Sequence, residues 1–122
     1  MATTAPSSVT KLGGDDSVVK VTYTIANGND GTPCEYAQWA DRSVHVAGTF
    51  GVGGTIVIEG SNNGSTYKTL TDPQGNALSF TAESIEAITE LVRYIRPRVT
   101  AGDGTTAITV DFLFRRPQQL RV

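Results

Sequence analysis

Residues 43–70 read SVHVAGTFGVGGTIVIEGSNNGSTYKTL, and their apolar side chains recur at every second position, first through Val44 and Val46 and again through Ile56 and Ile58. A period of two belongs to an extended strand with one buried face; wound as a helix, the same residues would scatter around the axis. Val44, Val46, Gly48 and Phe50 fall on one side and are expected to face a core, with Ser43, His45, Ala47 and Thr49 opposite. Ile56 and Ile58 continue the layer, while Val57 lies on the other side with Thr55 and Glu59, so a second sheet or a neighbouring subunit is expected to cover it. Phe50 to Gly54 is expected to be a hairpin turn, and residues 60–64 turn the chain again into Thr66 to Leu70, completing a meander. The glycines at 48, 51, 53, 54 and 60 are too many for a flat sheet and imply bulges or close backbone approach.

The same period recurs elsewhere. Val19, Val21, Tyr23 and Ile25 alternate with Lys20, Thr22 and Thr24, and Ile108, Val110, Phe112 and Phe114 alternate with Thr109, Asp111 and Leu113. Both stretches predict half-buried strands. Val92 to Thr100 predicts another, at an edge or bulge because Pro97 cannot donate to a ladder. Residues 26–33 and 72–76 carry turn chemistry, and residues 77–80 predict a short strand. Residues 34–41 read as an irregular strand or one helical turn. For residues 81–91, the spacing of Ile85, Ile88 and Leu91 predicts a capped helical segment, with an extended loop as the competing reading. The sum is an all-β, single-domain antiparallel β-sandwich or jelly roll of seven to eight strands spanning residues 15–114. A flexible N-terminal arm (residues 1–14) and a basic C-terminal arm (residues 115–122) are expected to flank it.

At 122 residues the chain has the size of one domain and can bury a core without metals or disulfides. Cys34 is the only cysteine, which excludes a disulfide framework. The first eight residues lack the basic and apolar regions of a secretory signal, and no apolar run approaches the ~20 residues of a membrane-spanning helix. Ten basic and twelve acidic residues give a net charge of −2, so no global field draws the chain to nucleic acid. Asp15, Asp16, Asp30 and Glu35 lie early, whereas Arg115, Arg116 and Arg121 close the chain, a polarity suited to arm-to-surface contacts.

Chemistry is sparse. His45 is the only histidine and lies on a strand face away from the expected core, and with one His and one Cys the common zinc sets cannot be built. Residues 27–31 lack the glutamate that would complete a calcium loop. Gly51 to Gly54 joins two strands instead of opening a helix, so it is no phosphate cradle. Carboxylate pairs such as Asp15 with Asp16 or Glu83 with Glu86 read as solvated charge. No catalytic residue, cofactor or metal is expected. Arg96 and Arg98 share a strand face beside Tyr94, with Arg93 near; such a row suits phosphate, a charged edge, or a salt-bridged protein contact.

Residues 46–51 (VAGTFG), 54–64 (GTIVIEGSNNG), 70–82 (LTDPQGNALSFTA) and 94–97 (YIRP) resemble small virion proteins of tailed bacteriophages, of the capsid decoration or cement type. The resemblance covers about half the chain, and residues 72–82 are its distinctive part. It implies a non-catalytic protein, made in the host cytoplasm, that binds the exterior of the virion capsid. The major capsid protein would be its partner, the chain itself a dimer or trimer, and membrane or direct nucleic-acid contact is not expected. Candidate capsid or subunit interface residues are Val57, Leu113, Arg96, Arg98, Arg115, Arg116 and Arg121, with the two arms as tethers. A carbohydrate-binding sandwich that stacks sugars on Tyr36, Trp39 or Tyr67, and a head-to-tail or tail protein of the same phage class, are the alternatives.

Overall fold

The computed structural model describes residues 2–12 and 17–117, and contains no helix among them. Eleven strands follow in order: β1 (Thr3–Thr4), β2 (Ser8–Leu12), β3 (Val18–Ala26), β4 (Asp30–Gly31), β5 (Asp41–Thr49), β6 (Thr55–Ser61), β7 (Lys68–Thr69), β8 (Ser79–Phe80), β9 (Ser84–Ala87), β10 (Tyr94–Ala101) and β11 (Ala107–Arg115). They form a β-sandwich. One sheet has five strands in the order β2-β3-β11-β5-β9; the other has six, ordered β1-β4-β10-β6-β7, with β8 also paired to β6. All pairings are antiparallel except β1 with β4.

The alternating stretches supply the core. From the five-stranded sheet, Val19, Val21, Tyr23, Ile25, Val44, Val46, Ile108, Val110, Phe112 and Phe114 are all fully buried; they face Ile56, Ile58, Ile95 and Val99 from the other sheet. β11 runs through the middle of its sheet, paired over nine residues with β3 on one side and β5 on the other. Short strands replace long ones at the six-stranded sheet's margins, where β1, β4, β7 and β8 have two residues each.

Four expectations change. β5 and β6 are not a hairpin, since they lie in opposite sheets and residues 50–54 carry the chain across the sandwich. Val44 and Val46 therefore meet Ile56 and Ile58 face to face across the core. Gly48 is exposed, not core-facing; it adopts φ +96°, and a Cβ there would stand 2.7 Å from the Ala107 carbonyl oxygen. Residues 81–91 form no helix, because β9 pairs with β5 and only Ile88 of the three spaced apolar residues is buried. Finally, residues 2–12 are not a loose arm. Their backbone groups are used in both sheets, with Asp30 N donating to the Ala2 carbonyl at 3.1 Å, Thr32 N donating to the Thr4 carbonyl at 2.8 Å, and β2 paired along β3. Met1, Gly13 and Gly14 of that expected arm, and residues 118–122 of the other, lie outside the described residues.

Pro97 lies in β10 between β6 and the two-residue β4. Ile95 N and Val99 N donate toward Cys34 and Asn29, so the position of the missing Pro97 N–H faces the margin and not the long ladder with β6. Gly31 passes over that spot, where a Cβ would come within 2.7 Å of both Pro97 Cδ and Tyr23 Cε2. Cys34 bridges to Ile95, and Trp39 N donates to the Tyr36 carbonyl at 2.9 Å, so residues 34–41 combine a strand bridge with a single turn.

Candidate interaction surfaces

The two outer faces differ in chemistry. On the six-stranded sheet, β10 turns Ile95, Pro97 and Val99 inward, which puts Tyr94, Arg96 and Arg98 outside. Register then sets Arg96 opposite Glu59, Arg98 opposite Val57, and Asp30 opposite Arg98. Arg96 Nε donates to Glu59 Oε1 at 3.1 Å, Arg98 Nε donates to Oε2 at 3.0 Å, and Arg96 Nη1 stands 3.2 Å from Asp30 Oδ2. The Tyr67 ring lies 3.8 Å from the Arg96 guanidinium carbon. Under this cover Asp30 and Glu59 are 2% and 5% exposed, and Val57, beside them, is 9% exposed. Val57 is thus covered within its own chain, and Arg96 and Arg98 are engaged by carboxylates instead of forming an open row for phosphate. The sequence did not place Asp30, Glu59 or Tyr67 beside these arginines; the available signal was the glutamate that directly follows the apolar run Ile56 to Ile58.

The outer face of the five-stranded sheet is open. On its central strand, Leu113 is exposed and flanked by Lys20 on β3 and Ser43 on β5. One row up, Asp111 lies between Thr22 and His45, and Thr22 Oγ1 donates to Asp111 Oδ1 at 2.5 Å. One row down, Arg115 pairs with Asp41, Nε to Oδ2 at 3.1 Å. A shallow groove of about 230 Å³ runs beside Leu113, bordered by Asp41, Ser43 and Arg115.

At the end of the sandwich where β11 finishes, aromatic and cationic groups collect. Tyr36 stacks on Phe114 with centroids 5.0 Å apart, Trp39 meets Tyr36 edge-on at 5.3 Å, and Arg116 lies 5.5 Å over Trp39. Buried Arg42 ties the turn, its Nη2 donating to the Tyr36 and Trp39 carbonyls at 2.8 and 3.2 Å. Burial lowers its pKa. A cavity of about 420 Å³ opens there, lined by Ser17, Val18, Arg115, Arg116 and Pro117. Arg121 lies outside the described residues.

The nucleophile candidates are not assembled. Burial pushes the Cys34 thiol up to about 11, so it is protonated at neutral pH, and Sγ donates to the Ile95 carbonyl at 3.5 Å. His45 stands on the outer face of the opposite sheet. Among the described residues no three His, Cys, Asp or Glu side chains gather as a metal set.

Asp103 staples two loops at the other end. Its carboxylate accepts from Thr105 Oγ1 and N at 2.6 and 2.8 Å and from Val52 N at 2.9 Å, and these bonds, the Thr105 hydroxyl first, hold its pKa down at about 2. The folded value lies below the ordinary 3.8, so its stabilisation is full above that value and lost as pH falls through about 2. Asp103→Asn should therefore show a shallower fall in melting temperature than the wild type between pH 4 and pH 2, in scans taken at several pH values. Equal slopes would show that the staple does not contribute.

No family model and no curated protein matches the chain. A solved structure of Peruvianin-I, a cysteine peptidase from Thevetia peruviana latex, is similar at 13% identity and a TM-score of 0.45, over 83% of this chain and 52% of that one. The chain spans about half the length of that peptidase. A likeness of this size bears on neither fold nor activity.

Proposed function

We propose that the chain is a structural virion protein of a tailed bacteriophage that binds the outside of the capsid and cements neighbouring capsomers, with no catalytic step. The reading starts from the resemblance of residues 46–51, 54–64, 70–82 and 94–97; the first lies at the end of β5 and the crossing after it, and the others build much of the six-stranded sheet and its turns. The observation that carries it further is the end of the sandwich at which the C-terminal segment departs. There Arg115, Arg116 and Trp39 stand together beside the 420 Å³ cavity on a scaffold braced by internal ion pairs. A rigid block with a basic, aromatic docking end suits attachment to an acidic protein lattice.

The carbohydrate reading has less support. Tyr36 is stacked on Phe114, Trp39 is half-buried against Tyr36 and Arg116, and Tyr67 lies against Arg96, so each candidate platform already has a neighbour on its ring.

Immunogold electron microscopy of purified virions, using antibody against the chain, tests the proposal. Labelling over the head surface is expected, and truncation after Pro117 combined with Arg116→Ala should remove most of it. Label confined to the tail or to the head–tail junction would overturn the placement. Undiminished head label on the truncated variant would overturn the docking end.

A further inference from the structure

We infer that the chain forms a symmetric dimer through the open outer face of its five-stranded sheet, with a second copy as the occupant. The inference rests on this face alone and not on the virion reading.

Area is the first argument. Three central strands of nine residues, flanked by strands of five and four, spaced ~4.8 Å apart at ~3.3 Å per residue, present a face of roughly 570 Å² in flat projection, near the low end of what a specific interface takes. A standard stable interface takes about 800 Å² from each partner. Small side chains make up about half of the face, among them Thr10, Thr22, Ser43, Ala47, Ala87 and Thr109, while Lys20, Asp111, Arg115, Asp41 and His45 surround Leu113 itself.

The arrangement of the exposed apolar residues is the second argument. Leu12, Leu113 and Ile85 are 43%, 41% and 65% exposed. The registers put Leu12 two strands to one side of Leu113 and one row down, and Ile85 two strands to the other side and one row up. The three therefore lie on one diagonal with Leu113 at its midpoint. A two-fold axis in the plane of the face, crossing that diagonal at right angles through Leu113, sets Leu113 against its own copy and Leu12 of each chain against Ile85 of the other. The groove beside Leu113 gives the partner's leucine a seat.

Charge supplies a third, independent check. With the spacings above, the same axis brings Lys20 to about 3 Å, in projection, from Asp111 of the partner, and does so twice by symmetry. Arg115 and Asp41 are already paired within each chain, so their charges are balanced before the faces meet. The strands of the two copies would cross at about 70°, close to the orthogonal class of sheet packing.

Sedimentation velocity of the purified full chain, over a concentration series, tests this. A species of twice the 12.9 kDa chain mass is expected. Leu113→Asp should shift the midpoint of association to at least tenfold higher concentration while leaving the far-ultraviolet spectrum and melting temperature of the monomer unchanged. Lys20→Glu and Asp111→Lys should each weaken association, and the two together should restore most of it, which a merely structural role for Asp111 would not produce. A wild-type chain that stays monomeric at high concentration, a Leu113→Asp variant that dimerises as the wild type does, or a double exchange that fails to recover would each overturn the proposal.

Discussion

Phe112→Ala is expected to lower the stability of the fold by about 3–5 kcal/mol, with no change in the denaturant slope. Phe112 is fully buried at the middle of β11, edge-on to Tyr23 with centroids 5.9 Å apart and stacked with Phe114 at 5.7 Å. The backbone around it is held from both sides, by Val21 on β3 and Val44 on β5, within two nine-residue ladders. Walls pinned in this way cannot close on the space left by the ring, so the loss includes a cavity term as well as transfer of the side chain. Phe112→Leu keeps most of the volume and should lose less than about 1.5 kcal/mol. Urea unfolding followed by Trp39 fluorescence reads both. An alanine variant no worse than the leucine one would mean that the two sheets can slide together, and that the ladders are softer than their register implies.

The strands that carry this core are those the sequence announces most clearly. In β3 and β11 every inward position is aliphatic or aromatic, so both face and length could be read from the residues. What periodicity does not contain is the sheet to which a strand belongs. Residues 50–54 have the glycines of a tight turn, and the same glycines serve a crossing between sheets, so β5 and β6 looked like neighbours. The expected helix at residues 81–91 failed for a related reason. Ile85, Ile88 and Leu91 satisfy a helical spacing, but β5 offers an open edge, and pairing with it overrides the local preference. Residues 2–12 gave no signal because edge strands exposed on both sides are held by backbone bonds, which leave no pattern in the side chains.

The candidate surface was legible only in part. Leu113, the odd apolar residue on the wet side of β11, was visible because it breaks an alternation. The row of Arg96 and Arg98 was visible too, but not its closure, since Glu59 is 37 residues from Arg96 in the chain and Asp30 is farther still. Only the antiparallel registers of β10 with β6 and with β4 bring the charges together.

That closure makes Arg96→Ala the second large loss, about 2–3 kcal/mol once its partial exposure is allowed for. Among the described residues Arg96 is the cation paired with Asp30, whose Oδ1 is already buried without a hydrogen-bond partner there. Its removal strands a carboxylate that is 2% exposed and leaves Glu59 with Arg98 alone. Arg98→Ala should cost less, about 1 kcal/mol, because its side chain is 35% exposed and Glu59 keeps Arg96. Pairing Arg96→Met with Asp30→Asn should recover much of the loss, since a buried ion pair replaced on both sides is far less damaging than one broken on one side. Chemical denaturation of Arg96→Ala, Arg98→Ala, the double variant and its two single members gives the losses and the coupling between Arg96 and Asp30. If Arg96→Ala and Arg98→Ala lose equally little, the guanidinium groups are ordinary surface charges, and the six-stranded sheet becomes available to a partner. If the asymmetry is found, these arginines are committed to the chain's own carboxylates, and binding falls to the opposite sheet and to the end that bears Arg115 and Arg116.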